Sequence, residues 1–213
     1  MNDNIRPTLC LGIPTINRKD LLDEALPVYK ETFKNRHIFV IDNGNQGFES
    51  QTTQQLAFWC NGTNLGVAAS WNKIIERQRL LGYSHVLILN DDVVLTKKAR
   101  EIEDFIQLNP ADLYTGHGWY SFVIPIETFV KVGPFDEMYY PAYYEDTDYQ
   151  YRLQVAGLKT INADILLPDV LRKSKSGEKD PTLYDKVFEC RRYYETKWGG
   201  PPSHEKYTTP FNQ

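Results

Sequence analysis

The sequence predicts an α/β domain with a mainly parallel, mixed central sheet flanked by helices. Short apolar runs alternate with longer segments of helical spacing, the order expected of parallel strands joined by crossover helices. The runs are near-continuously apolar, as in strands buried on both faces. The first three end in polar clusters, where open α/β sheets place their binding loops. At 213 residues, 41% hydrophobic and 24% charged, the chain suits a single domain with a core of useful size.

Residues 8–13, TLCLGI, read as a buried strand that ends at Pro14. Residues 19–34 carry Leu22, Leu26, Tyr29 and Phe33 at helical spacing, with Pro27 placed to bend or split the helix. Residues 37–42, HIFVID, are a second strand, closed by the turn signal Asn43-Gly44. After a polar turn at 63–66, residues 67–81 form a helix with Val67, Trp71, Ile74, Ile75 and Leu81 as its apolar positions. Residues 85–89, HVLIL, are a third strand that runs straight into Asn90-Asp91-Asp92. A helix over 97–108 stops at Asn109-Pro110. Beyond residue 113 the pattern changes to a strand and short helix within 119–130 and a turn at 133–136. A helix over 145–156 ends at Gly157, and a strand over 159–167 and an amphipathic helix over 181–197 follow. The tail from Gly199, with Pro201, Pro202 and Pro210, is expected to be extended and packed on the domain, or loose.

The net charge of −4 counts against a non-specific nucleic-acid binder. Three scattered cysteines, Cys10, Cys60 and Cys190, form no zinc or disulfide pattern and fit a reducing compartment. No apolar stretch approaches the ~20 residues of a membrane span, and no signal-peptide core is visible. A cytoplasmic location is expected, where the sequon at Asn61-Gly62-Thr63 goes unused. The 14 tyrosines crowd into 139–151 and 184–207, and half-buried packing is the plainer reading of most of them.

Four segments could carry chemistry. Asp91 and Asp92 follow an all-apolar strand. Two adjacent carboxylates repel unless a cation neutralises them, and magnesium or manganese takes one or two such ligands with phosphate and water supplying the rest. The plainer reading is an acidic turn ahead of a helix. Glu145, Asp146 and Asp148 open a helix, where acids favour the N-terminal dipole. Clustered carboxylates also raise one another's pKa, which suits a general base. Asp148 and Arg152 are spaced to pair, leaving Glu145 or Asp146 to act. Pro14-Thr15-Ile16-Asn17-Arg18 offers hydrogen bonds to a base or ribose and a guanidinium to a phosphate, although Asn17 could serve only as a helix N-cap. Asp42 could accept from a base imide or belong to the Asn43-Gly44 turn. Asn64-Leu65-Gly66, followed by Trp71-Asn72, permits close approach of backbone to ligand at Gly66 or is an ordinary helix start.

With IPTINR, VIDNGN, NLGVAASWN, LILNDDVVL, GPFDEMYYPAYYEDTDYQYR and KWGG in this order over residues 11–200, the chain resembles family 2-like GT-A glycosyltransferases. The LNDDV form is most similar to rhamnosyltransferase-type members, among them viral ones that build capsid glycans, for which the compartment would be the host cytoplasm. The resemblance implies a single GT-A domain over 1–213, with a nucleotide-sugar-binding half over 1–110, an acceptor and catalytic half over 111–200 and a tail over 201–213. Further domains of a longer polypeptide are compatible with it. It implies an inverting transfer of glucose or rhamnose from a UDP-sugar to a hydroxyl of a glycan acceptor. Donor contacts fall to Pro14, Thr15, Asn17, Arg18, Asp42, Asn64, Asn90 and Asp91, and Asp92 becomes the ligand of Mn2+ or Mg2+. Asp146 is the preferred base, with Glu145 next. Two departures stand out. Asn90 replaces the first acid of the family's DXD motif. Leu171-Arg172-Lys173 lies where relatives often carry a histidine, so Arg172 or Lys173 could contact phosphate, and His117 could substitute as a ligand. Acceptor contacts are expected near Trp119–Phe122 and Tyr139–Tyr144. A sugar-nucleotide pyrophosphorylase would share the fold and the metal, but LGIPTINR is not the Gly-rich basic loop it needs. A non-catalytic sugar-binding module is the other alternative.

Overall fold

The computed structural model describes residues 6–60, 62–172 and 182–213. Asn61 of the sequon and Lys173 lie outside the described residues.

A seven-stranded mixed sheet forms the centre. Its strands are β1 (Leu9–Thr15), β2 (Ile38–Asp42), β3 (Leu56–Cys60), β4 (His85–Leu89), β6 (Leu113–Thr115), β7 (Ser121–Pro125) and β8 (Thr160–Asn162), in the order β3-β2-β1-β4-β7-β6-β8. Neighbours are parallel except around β7, which runs against β4 and β6. A separate antiparallel pair joins β5 (Val93–Val94) to β9 (Val170–Leu171). It pins residues 169–172 beside Asp92: the Arg172 amide donates to the Asp92 carbonyl at 2.7 Å.

Both sheet faces are covered, which explains the near-continuous apolar strands. Leu9, Leu11, Ile13, Val40, Leu87 and Val123 point to one core, built with α1 (Lys19–Thr32) and α3 (Ala99–Leu108). Cys10, Phe39, Ile41, Val86, Ile88 and Phe122 point to the other, with α2 (Val67–Leu80), α4 (Ile126–Val132) and α5 (Glu145–Val155). The period-2 alternation of side chains sorts each strand between the two cores. Each fully buried aliphatic side chain contributes about 1.5–3 kcal/mol. Gly12 is required by closeness alone, since a Cβ there would lie 2.2 Å from a methyl of Ile74 on α2.

The structure corrects several local expectations. Pro27 neither splits nor ends α1. Asn17 does not cap that helix: it sits at φ 54°, and Arg18 occupies the N-cap. The strand expected over 159–167 is only Thr160–Asn162, followed by a 3-10 turn at Asp164–Leu166. β3 and β6 are absent from the sequence reading: β3 is one edge of the sheet, and β6 lies between β7 and the other edge strand, β8. The three cysteines are free, and no helix among the described residues is long and apolar enough to cross a membrane.

The final helix α6 (Thr182–Trp198) and the tail close over α5. Tyr139, Cys190, Tyr194 and Trp198 form a third apolar cluster with Tyr144, Tyr151 and Tyr193 against it. Many of the crowded tyrosines are therefore packing residues. Asp148, fully buried, is ion-paired with Arg152 at 3.0 Å and Lys197 at 2.7 Å and accepts from the Trp198 indole N–H at 2.8 Å and the Tyr139 hydroxyl at 3.2 Å. Lys197 also reaches Asp136 at 2.7 Å. The tail is packed rather than loose, since the Lys206 and Tyr207 amides donate to the Trp198 carbonyl at 2.9 and 3.0 Å.

Candidate active site

The carboxyl ends of β1 and β4 and the N-terminal ends of α2 and α5 surround one cavity of about 710 Å³, within the usual size of small-molecule sites. Pro14, Thr15, Asn17, Arg18, Asn64, Asn90, Asp91, Asp92, Glu145 and Asp146 all line it. The four chemically suggestive segments, spread over some 130 residues of sequence, thus share one crevice.

β1 and β4 are adjacent and parallel, so their ends arrive side by side. The Thr15 hydroxyl donates to Oδ2 of Asp91 at 2.7 Å, and the Ile16 amide approaches the same oxygen at 3.4 Å. Burial pushes the Asp91 carboxyl up to about 6; the Thr15 hydrogen bond opposes the rise and the neighbouring Asp92 charge adds to it. Arg18 lines the same cavity. Its guanidinium is held by Asp20 at 3.0 and 3.1 Å, and the charges of Asp91 and Asp92 add to the stabilisation of its cationic form. Asn90 donates its backbone N–H to the Tyr120 carbonyl at 2.9 Å, which fixes the start of the acid turn against the β6–β7 loop.

On the opposite wall, Tyr143 and Tyr144 both take positive φ, 81° and 73°, and deliver the chain into α5. Glu145 is buried, and its Oε2 has no hydrogen-bond partner. Burial, then the charge of Asp146, pushes its carboxyl up to about 8. Asp146 is half-buried, with Oδ1 accepting from the Thr147 amide at 2.6 Å and the Thr147 hydroxyl at 3.1 Å. This environment favours the protonated form of Glu145 at neutral pH.

Trp71 and Trp119, stacked with centroids 6.2 Å apart, supply an aromatic wall, and the buried Trp71 Nε1 is also unpartnered. Gly66, at φ 80°, lets the 140–144 loop approach α2: the Val67 amide donates to the Pro141 carbonyl at 2.8 Å, and a Cβ at Gly66 would stand 2.9 Å from that oxygen.

Some sequence candidates do not reach the cavity. Asp42 is 1% exposed, and its carboxylate accepts from the Gly44 and Gln46 amides at 3.0 and 2.6 Å and from the Gln46 side chain at 2.9 Å, so it builds the turn after β2 rather than lining the crevice. Arg172 pairs with Glu24. His117 faces Asp164 at 3.3 Å and lines a second cavity. Asn72 is a brace, bonded in both directions to Phe135 at 2.8 and 2.9 Å. Asn43 belongs to the strand-end segment Asp42–Asn45, which follows β2 as a candidate binding loop, and has no role of its own in the sequence beyond the turn signal. It lines the crevice while joining Ser70 at 2.9 Å and the Leu65 amide at 2.9 Å, a role that depends on contacts between segments.

Among the described residues no three metal-type side chains converge. The oxygen-only pair Asp91-Asp92 nevertheless suits a hard divalent cation that draws its other ligands from phosphate and water. Burial and the neighbouring Asp92 charge both disfavour negative charge on Asp91, a cost that a cation bound at this pair would relieve.

No protein-family model matches the chain, and no curated protein sequence does. Solved structures do. A mannosyltransferase from Pyrobaculum calidifontis, in complex with GDP-Man and Mn2+, superposes with a TM-score of 0.66 at 14% identity over 92% of this chain and 66% of its own. GalNAc-T7, with UDP, GalNAc and Mn2+, gives 0.64 at 12% identity over 92% of this chain and 52% of its own. The chain therefore spans less than two thirds of either neighbour, and what it shares with them is the fold.

Proposed function

We propose that the chain is an inverting, metal-dependent glycosyltransferase of rhamnosyltransferase type. It would move glucose or rhamnose from a UDP-sugar to a hydroxyl of a glycan acceptor. The observation that carries the reading is the convergence of two acid pairs, Asp91-Asp92 and Glu145-Asp146, on one cavity with the Pro14–Arg18 loop. GDP-Man with Mn2+ in one protein of the same fold, and UDP, GalNAc and Mn2+ in another, support it.

Thr15, Asn17 and Asn64 would receive the base and ribose, with Pro14 shaping the loop and Arg18 turned to the diphosphate. Asp92 would hold Mn2+ or Mg2+, with Asp91 in a secondary part. When bound, the cation supplies positive charge to the departing diphosphate. The acceptor oxygen bonds to the anomeric carbon as the bond from that carbon to the diphosphate oxygen breaks, the electron pair leaving with UDP. Asp146 takes the acceptor's proton. Glu145 would hold its own proton at neutral pH, with Oε2 available to donate to a bound sugar hydroxyl. The paired tryptophans keep water from the sugar.

Manganese-dependent release of UDP from UDP-glucose or UDP-rhamnose, screened beside the dTDP-sugars, tests this. Binding without turnover in the presence of any acceptor would instead favour a sugar-binding module.

A further inference from the structure

A second cavity, about 500 Å³, is lined by Thr115, His117, Gly118, Trp119, Gln150, Thr160 and Asn162. The first cavity does not use it, but the two share a wall in Trp119. They also share a helix. Asp146 and Gln150 are four residues apart on α5, so they lie on one face about one 5.4 Å turn apart. Asp146 opens on the first cavity and Gln150 on the second.

The lining is uncharged apart from the titratable His117, and it is rich in hydrogen-bonding groups with capacity left over. The Thr115 hydroxyl donates to Oδ1 of Asn162 at 2.8 Å, which leaves the Asn162 amide hydrogens to donate outward. Gln150 gives Nε2 to the Thr160 hydroxyl at 3.4 Å, which leaves its Oε1 to accept. An aromatic face flanked by neutral amides and hydroxyls matches the apolar face and ring hydroxyls of a neutral sugar. An anionic ligand would find no lysine or arginine there.

We infer that this cavity is an acceptor subsite, holding the sugar residue next to the one that is glycosylated, so that the enzyme acts on neutral oligosaccharides of two or more residues. The inference rests on the glycosyltransferase reading and extends it to the acceptor's size and charge.

The test is the double variant Gln150→Ala/Asn162→Ala beside the wild type. Both are given a panel of neutral mono- and disaccharide p-nitrophenyl glycosides, with acceptor-independent release of UDP measured in parallel. Wild type should prefer a disaccharide to its terminal monosaccharide by about tenfold or more in kcat/KM, the scale of one or two well-placed hydrogen bonds. The double variant should lose that preference through KM, while its UDP release and thermal midpoint stay at wild-type values. UDP release without preference for any disaccharide, or a preference that survives the double substitution, overturns the subsite alone. Absence of UDP release from the wild type overturns the glycosyltransferase reading and the subsite with it.

Discussion

The Thr15 hydroxyl and the Asp91 carboxylate, 76 residues apart in sequence, meet at 2.7 Å and tie the carboxyl ends of β1 and β4 together. The next residue, Asp92, is the proposed ligand of the cation. Asp92→Ala is expected to abolish manganese-dependent binding of a UDP-sugar, read by calorimetry with and without the metal. Asp91→Asn keeps an acceptor for Thr15 and should weaken the metal by a smaller factor. Equal affinity in Asp92→Ala and wild type would remove the cation from this turn.

The raised Asp91 value gives a pH dependence. A value of about 6 in the fold against an ordinary 3.8 means that the folded chain binds this proton more tightly than the unfolded chain. Its contribution to stability is full below 3.8 and is lost as pH rises through about 6. A cation needs the ionised form, so manganese affinity should rise over the same window and level off above it. Titrations at pH 5, 6 and 7 check this, and a flat profile contradicts it.

Glu145 and Asp146 should separate by substitution. Asp146→Asn is expected to cut transfer by about 10²–10⁴, the usual worth of a general base, while sparing donor affinity. Glu145→Gln keeps a hydrogen-bond donor and should retain transfer within about tenfold. The reverse ranking of the two variants in a transfer assay would move the base to Glu145.

Glu145 also burdens the fold. Its value of about 8 exceeds the ordinary 4.5, so its favourable contribution is full below 4.5 and lost as pH rises through about 8. Glu145→Gln lacks that loss. Its Tm should therefore gain on wild type between pH 5 and pH 9 by at least about 5 °C, since about 1 kcal/mol moves Tm by 2–4 °C at this size. Parallel melting curves decide it.

Gly66→Ala places a methyl against the Pro141 carbonyl in a backbone conformation that suits glycine. A loss of about 1–3 kcal/mol is expected from the strain, with weaker donor binding as the 140–144 loop shifts. Urea unfolding and donor titration of the same variant provide the measurement.

Much of this molecule was legible in the sequence because it is local. The runs TLCLGI, HIFVID and HVLIL are buried on both faces and announce themselves. β3 did not, because Leu56–Cys60 is an edge strand, half-exposed after its first residue, that follows a polar stretch. β6 is too short to show a period. The reversed direction of β7 leaves no trace in spacing. Within the site, the acid pairs were visible as neighbours in sequence. Asp42 was ambiguous because a strand-end aspartate looks the same whether it faces a ligand or its own turn. The unpartnered Oε2 of Glu145 and the Thr115–Gln150–Asn162 cavity depend on segments that only the fold brings together.

The buried cluster around Asp148 bears on how the chain is made. Its compensating charge and indole, Lys197 and Trp198, are synthesised about fifty residues after it. Until they emerge from the ribosome, Asp148 has only Arg152 among its charged partners, and a buried carboxylate without adequate compensation is strongly disfavoured. The start of α5, with Glu145 and Asp146, can therefore settle only late in synthesis. The nascent β-sheet can form with the Asp91-Asp92 turn in place while the facing wall of the crevice is still unassembled, so a ribosome stalled before codon 197 would carry one acid pair of the cavity without the other.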